Sequence, residues 1–285
     1  MQRTKNIVIA GANKLPIVLD IFFKEDHLCK PVVIYAHGFS GFKDWGNFDL
    51  IASEFAGEGF VLVKFNFSHN GTTAQHPADF NNLEAFGNNN YSTELKDLRL
   101  VIDWVCDPLN QFSDVIDRNQ ICVIGHSMGG GIAILEAAND TRVNKLITWA
   151  AISECKTPWG NWSFEKIQEW KNTGVQYYTN GRTKQEMPMY YQLHEDFIQN
   201  AEKLNIQKAI RSLQIPILIC HGTNDTSVPV EKAYDLKNWQ PSAQLFTVDS
   251  DHVFGRKHPW ISEQLPPAMN SVVQASIQFL KSATR

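Results

Sequence analysis

Long apolar runs, dense charge of one sign and organised cysteine are all missing from this 285-residue sequence. A membrane-spanning helix needs about 20 consecutive, mostly apolar residues, and no such run occurs, so no membrane partner is expected. The 26 basic and 30 acidic residues are intermixed and leave a net charge of −4. Without a basic patch to meet a phosphate backbone, nucleic acid is not an expected partner, and a small-molecule or peptide substrate is. The five cysteines, Cys29, Cys106, Cys122, Cys155 and Cys220, lack metal-ligand spacing. Cys122 and Cys220 sit in apolar, strand-like runs and read as buried free thiols, and an odd, patternless set favours the cytoplasm. The apolar part of Met1–Gly11 is too short for a signal-peptide core, so a cytoplasmic location is expected. There is no internal repeat, no low-complexity tract and no dinucleotide glycine fingerprint, so no cofactor is expected. His194-Glu195-Asp196 has metal-ligand residue types, but neighbours on a helix point in different directions. No metal site is expected.

What the sequence does contain is alternation of buried strands and amphipathic helices. Residues 6–10 and 16–23 read as an antiparallel pair. Pro31-Val32-Val33-Ile34-Tyr35-Ala36 is a continuous apolar run of parallel-strand type, ending in His37-Gly38-Phe39. A helix follows through Trp45, Phe48, Ile51, Ala52 and Phe55, and then a strand over 60–67. Residues 68–92 form a long polar stretch and are expected as an unstructured loop. Leu95, Leu98, Val101, Ile102 and Val105 predict a helix capped by Ser92 or Thr93. Later strands are expected near 143–150, 215–220 and 244–248, with helices over 230–238 and 269–280. Such repeated units predict an α/β fold, a mostly parallel sheet of about eight strands with helices on both faces. The alternation lapses at residues 153–205. That segment reads as a cap inserted within a single domain of residues 1–285, rich in Trp, Tyr and Met.

Between the helices beginning near 93 and 132 lies the most informative stretch, Gln120-Ile121-Cys122-Val123-Ile124-Gly125-His126-Ser127-Met128-Gly129-Gly130. An apolar strand breaks at Gly-x-Ser-x-Gly into a good helix, which is the pattern of a nucleophile elbow. The turn strains the serine backbone, and glycine at 125 and 129 leaves room that side chains would fill. On its own the pattern also fits a glycine-rich turn with an ordinary serine. Its meaning depends on a base and an orienting acid at other strand ends.

Both are available. A serine hydroxyl is nearly un-ionised at neutral pH and needs an imidazole to take its proton, and a carboxylate to fix that imidazole's tautomer. Only His252 and His258 follow Asp225, and His252 lies just beyond a strand. His258 sits in Arg256-Lys257-His258-Pro259, which reads as a surface turn. Asp235 falls within a helix, and Asp249 and Asp251 flank the histidine. Asp225 therefore serves best as the acid, giving the catalytic set Ser127, Asp225 and His252. Two amides are needed to hold the developing oxyanion: Met128 N–H, directly after the serine, and Phe39 N–H from the turn after the early strand. His37, His126 and His221 read as structural. Trp159, Trp162 and Tyr190 of the aromatic insertion are the candidate substrate-binding residues.

Through His37-Gly38-Phe39, Gly125-His126-Ser127-Met128-Gly129-Gly130, His221-Gly222-Thr223-Asn224-Asp225 and Asp251-His252, the chain resembles the α/β-hydrolase superfamily over nearly its whole length. Within it, the chain looks most like bacterial cinnamoyl (feruloyl) esterases and related carboxylesterases, which carry a short cap between elbow and acid. Dienelactone hydrolases and acylaminoacyl-peptidases are similar. The resemblance implies a serine hydrolase of small-molecule carboxylic esters, with aryl or hydroxycinnamoyl acyl groups suggested by the aromatic cap. An amidase, or a catalytically silent ligand-binding module on the same fold, are the alternatives. One departure stands out: where many relatives have Gly-His-Gly-x-Ser after the fourth strand, this chain has Ser68-His69-Asn70-Gly71.

Overall fold

Each short apolar run becomes a strand. The computed structural model describes residues 1–282. It opens with β1 (Gln2–Ala10), β2 (Pro16–Phe23), β3 (Lys30–Ala36), α1 (Phe48–Gly57) and β4 (Val61–Asn66). Then come α2 (Leu83–Gly87), α3 (Tyr91–Cys106), β5 (Ile116–His126), α4 (Met128–Asn139) and β6 (Val143–Trp149). The next segment holds α5 (Phe164–Thr173), β7 (Val175–Thr179), β8 (Glu186–Tyr190), α6 (Gln192–Gln199) and α7 (Ile206–Ser212). The chain closes with β9 (Ile217–Gly222), α8 (Glu231–Trp239), β10 (Gln244–Val248) and α9 (Pro267–Lys281).

Eight strands form one sheet in the order β1-β2-β4-β3-β5-β6-β9-β10. Pairings β1–β2 and β2–β4 are antiparallel and the rest are parallel, as the alternating pattern predicts. Successive strand residues face opposite sides, and both sides are covered. Val33 and Ile124 share a core with Ile51 and Phe55 of α1 and Met269 and Val272 of α9. Ile34 and Val123 share the opposite core with Val101 of α3, Ile132 of α4 and Leu236 of α8. The chain leaves β3 toward β4 on one side and leaves β5 toward β6 on the other. A crevice therefore opens beyond the carboxyl ends of β3 and β5, where such sheets bind ligands.

Residues 68–92 are not the unstructured loop the polar composition suggests. Ser68, His69, Asn70 and Thr72 are buried, and α2 forms within the stretch with Phe80 and Phe86 packed inward. Buried polar groups here find partners, as burial demands. Asn66 Nδ2 donates to Thr72 Oγ1 and to Pro77 O, both at 2.8 Å. Asp97, fully buried on α3, accepts from Ala12 N at 2.8 Å and from Ser68 N at 2.7 Å. It thereby ties the β1–β2 turn to the end of β4. The cap of α3 is Asn90, whose side chain accepts from Thr93 N. Ser92 and Thr93 fall inside the helix, because Asn90 supplies the extended backbone and the carbonyl oxygen that a cap needs.

Adjacent strands β6 and β9 are separated in sequence by a segment that includes residues 153–205. There β7 and β8 pair antiparallel as a separate two-stranded sheet. Trp170 of α5 is fully buried and donates from Nε1 to Met189 O at 2.7 Å. Among the described residues, no helix is long and apolar enough to cross a membrane.

Asp97 offers a direct check on this packing. Asp97→Ala leaves two buried amides without an acceptor and is expected to lower the unfolding free energy by about 2–4 kcal/mol. Asp97→Asn keeps one acceptor oxygen and should cost less. Urea unfolding followed by tryptophan fluorescence compares the two, and equal losses would contradict the tie assigned to Asp97.

Candidate active site

Strand β5 ends at His126, and Ser127 then turns with φ 56° and ψ −120° into the first turn of α4. A non-glycine residue in this region is strained, and surrounding structure must hold it. Here the hold comes from the sheet: Ser127 N donates to Trp149 O at 2.9 Å, and Ser127 O accepts from Ile152 N at 3.2 Å. The glycines act as the sequence pattern requires. A Cβ on Gly125 would lie 2.2 Å from Gly129 O, and one on Gly129 would lie 2.3 Å from His37 O. The turn after β3 is equally close, since a Cβ on Gly38 would lie 2.8 Å from Ser127 Cβ. Met128 N begins α4, where unpaired amides favour negative charge.

Asp225 lies in the loop after β9 with its side chain fully shielded from solvent. Oδ1 accepts from Ser227 N and Val228 N, both at 2.8 Å. Oδ2 accepts from His252 Nδ1 at 2.7 Å. A carboxylate can only accept, so Nδ1 carries a proton, and in the neutral ring Nε2 is the acceptor. Burial pushes the Asp225 carboxyl up, but hydrogen bonds from His221, His252 and the Val228 amide outweigh it and hold it well below the usual range. His221 Nε2 donates to Val228 O at 2.8 Å.

His126 faces the His252 ring with centroids 4.8 Å apart and donates from Nε2 to His252 O at 3.0 Å. Burial, together with the nearby His252 and Arg256, drives the His126 pKa well below its ordinary value, so this imidazole stays neutral and anchors its neighbour. His37, pushed down to about 4 by burial, contacts Gly38 O through Nδ1 at 2.9 Å. Both histidines order backbone.

A cavity of about 450 Å³ is bordered by Ser127, His252, Gly38 and Phe39. The structure thus brings Ser127, Phe39 and His252 to one space, with Asp225 behind the histidine. Among the described residues, Ser127 Oγ makes no hydrogen bond within the protein. Trp159, Trp162 and Tyr190 do not border the cavity. Trp159 and Trp162 pack on Trp170, with centroids 5.9 and 5.2 Å away, and Tyr190 Oη donates to Glu84 Oε2 at 2.6 Å. Trp159 is buried, while Trp162 and Tyr190 are half-buried, the Tyr190 ring lying against Gly87; aromatic packing rather than the cavity engages these rings. From residues 153–205 the cavity is instead bordered by Thr157, Tyr178, Asn180 and Arg182.

The turn Arg256-Lys257-His258-Pro259 also departs from expectation. Arg256 is only 4% exposed and borders the cavity. His258 Nδ1 accepts from Gly46 N at 2.9 Å, and its ring stacks on Trp45. The contiguity of Arg256 with His252 was the available signal, and the dense polar residues of the turn masked it. The carboxylates of Asp20, Asp44 and Asp49 lie within 4.8 Å of one another, as a metal site would require. However, the Lys43 and Lys64 ammonium groups sit among them, each 2.8 Å from an Asp20 oxygen, and supply the positive charge.

A family model, BD-FAE, matches residues 19–240, a span that includes the elbow and Asp225. The chain belongs to the BD-FAE family. Among curated proteins, this BD-FAE chain is similar to "Putative esterase/lipase 2" of Mycoplasma genitalium, 24% identical over 245 residues that cover 79% of this chain and 82% of that protein. It also matches "Quorum-quenching protein AidA" of Acinetobacter baumannii, 26% identical over 125 residues. That match spans 44% of this chain and 35% of AidA. Among solved structures, Est1E from Butyrivibrio proteoclasticus superposes with a TM-score of 0.65 at 15% identity, covering 97% of this chain and 98% of that one. Its ferulic acid complex gives 0.66 at 16% identity, with 96% and 97% covered. The architecture of this BD-FAE member is that of the α/β-hydrolases.

The lowered Asp225 pKa fixes the sign of a pH effect. A carboxyl held below its unfolded value stabilises the fold above that value and loses the contribution as pH falls through the folded one. The stability gap between wild type and Asp225→Asn is expected to be widest near pH 7 and to narrow below about pH 4. Urea unfolding at both pH values checks this, and a gap that widens in acid would contradict it.

Proposed function

We propose that the chain is a serine hydrolase that cleaves carboxylic esters through an acyl-enzyme, with residues 153–205 as a cap inserted in one domain. Ser127 attacks the ester carbonyl while His252 Nε2 takes its proton. The tetrahedral oxyanion lies between the amides of Met128 and Phe39. His252 then gives the proton to the leaving alcohol and, in the second half, draws one from water, whose hydroxyl releases the acid. Asp225 keeps the imidazole in the tautomer that can do this and stabilises the imidazolium. The hydrogen bond from Ser127 Oγ to His252 Nε2 that this step needs forms with substrate bound, since catalytic hydrogen bonds commonly reach their working geometry only in the complex.

One observation carries the reading. A serine strained at a strand-to-helix turn borders the same cavity as an imidazole whose Nδ1–H is committed to a buried carboxylate. Membership of the BD-FAE family and the similarity to a protein named as an esterase/lipase support it. The aromatic lining, with Phe39 packed on Tyr178 at 5.6 Å and Phe42 on Phe80 at 5.9 Å, suits a planar aryl acyl group such as hydroxycinnamoyl. The ferulic acid complex of Est1E points the same way.

Kinetics on a panel of aryl and short aliphatic esters provides the test. Ser127→Ala is expected to lower kcat by roughly 10³-fold or more, and Asp225→Asn by a similar order. Full activity in folded Ser127→Ala would overturn the mechanism. Aryl esters turning over no better than short aliphatic ones would remove the acyl assignment alone.

A further inference from the structure

Within the cavity, one charged group has no counterpart. Arg256 is nine-tenths buried or more, with 4% of its surface exposed. Its guanidinium carbon stands over the rings of Phe48 at 4.6 Å and Trp45 at 5.3 Å. Aromatic faces of this kind hold a guanidinium by its flat sides and leave the N–H groups at its edge free for in-plane acceptors. Nε uses its proton on Val253 O at 2.8 Å. Nη1 meets no acceptor. Among the described residues, Arg256 forms no ion pair. Asp251, the carboxylate that acts on it through space, is exposed and already accepts from Val253 N and Gly255 N. Burial lowers the Arg256 pKa, although the neighbouring Tyr35 hydroxyl accepts from the guanidinium and pushes the other way; a neutral hydroxyl does not cancel the charge.

The charge around it is one-sided. Arg182 also borders the cavity, and no aspartate or glutamate among the described residues does. The chain as a whole has four more acidic than basic residues, so the local excess of positive charge is not a reflection of composition. A buried guanidinium left unpaired is costly, and an incoming anion removes that cost. A carboxylate, planar and with two acceptor oxygens, matches the guanidinium edge better than any neutral group.

Resting on the esterase reading above, we propose that Arg256 is a substrate-recognition residue and that the preferred substrates are esters carrying a second, ionised carboxylate. Arg182, exposed with its guanidinium over the Phe42 ring, adds attraction. The aromatic rings receive the hydrocarbon part, and Arg256 selects the charged part.

Two matched substrate pairs test this: 4-acetoxybenzoate against its primary amide, and the p-nitrophenyl monoester of glutaric acid against its primary amide. The first pair places the charge on the alcohol half, the second on the acyl half. At least one pair is expected to show a kcat/KM preference of about tenfold or more for the carboxylate, expressed mainly in KM. In Arg256→Gln, that preference should shrink at least about tenfold relative to the amide. Because Arg256 packs against Trp45 and Phe48, Arg256→Lys serves if the glutamine variant does not fold; it keeps charge but loses the fork, and the preference should still fall. Equal turnover of carboxylate and amide in both pairs, or a preference that survives in folded variants, would overturn the proposal. If the amides are cleaved in a Ser127-dependent way without any preference for charge, only this inference fails. If no ester is cleaved, the esterase reading fails with it.

Discussion

Backbone pressed against backbone at the ends of β3 and β5 is the constraint on which the site rests. With no side chain on Gly129, the first turn of α4 lies directly on the carbonyls of Ala36 and His37. That contact brings the turn after β3 to the serine. It also forces Ser127 into a positive-φ conformation that isolated chain would avoid, and the hydrogen bonds to Trp149 and Ile152 hold it there. The sheet reverses its direction of growth at this same pair of strands, so the crevice is a consequence of topology as well as of local packing.

Electrostatics complete what geometry starts. Asp225 is buried yet ionised because two amides and two imidazoles surround it. Its charge fixes the proton on His252 Nδ1. His126, held neutral by burial, spends its N–H on the His252 carbonyl and so steadies the backbone of the base. These groups form a chain from the floor of the sheet to the cavity, and each has a partner. Arg256 has neutral partners in Val253 O and the Tyr35 hydroxyl but, among the described residues, no ion pair.

Much of this was legible in the sequence because it is written in short-range rules. Apolar runs of strand length, helical spacing and a glycine-flanked serine gave the α/β sheet and the elbow. The order of Ser127, Asp225 and His252 along the chain, each just past a strand, singled out those residues. Other features depend on long-range packing and left no local mark. Ser68, His69, Asn70 and Thr72 are polar but buried, because Asn66 donates to Thr72 and Asp97, on a distant helix, accepts from Ser68 N. Residues 153–205 are rich in aromatics, yet Trp159 and Trp162 pack onto Trp170, and the cavity is bordered by Tyr178 and Asn180 instead. Arg256 looked like part of an exposed turn, since the stacking of its guanidinium on Trp45 and Phe48 joins residues about two hundred positions apart.

Everything proposed for the chemistry converges on the nucleophilicity of one hydroxyl. Incubation of the folded protein with a fluorophosphonate, followed by intact mass and peptide mapping, measures it directly. A single adduct on Ser127, formed far more slowly in His252→Ala, is the predicted result. An unlabelled protein that is folded, or an adduct on any other residue, would contradict the assignment of Ser127 as nucleophile.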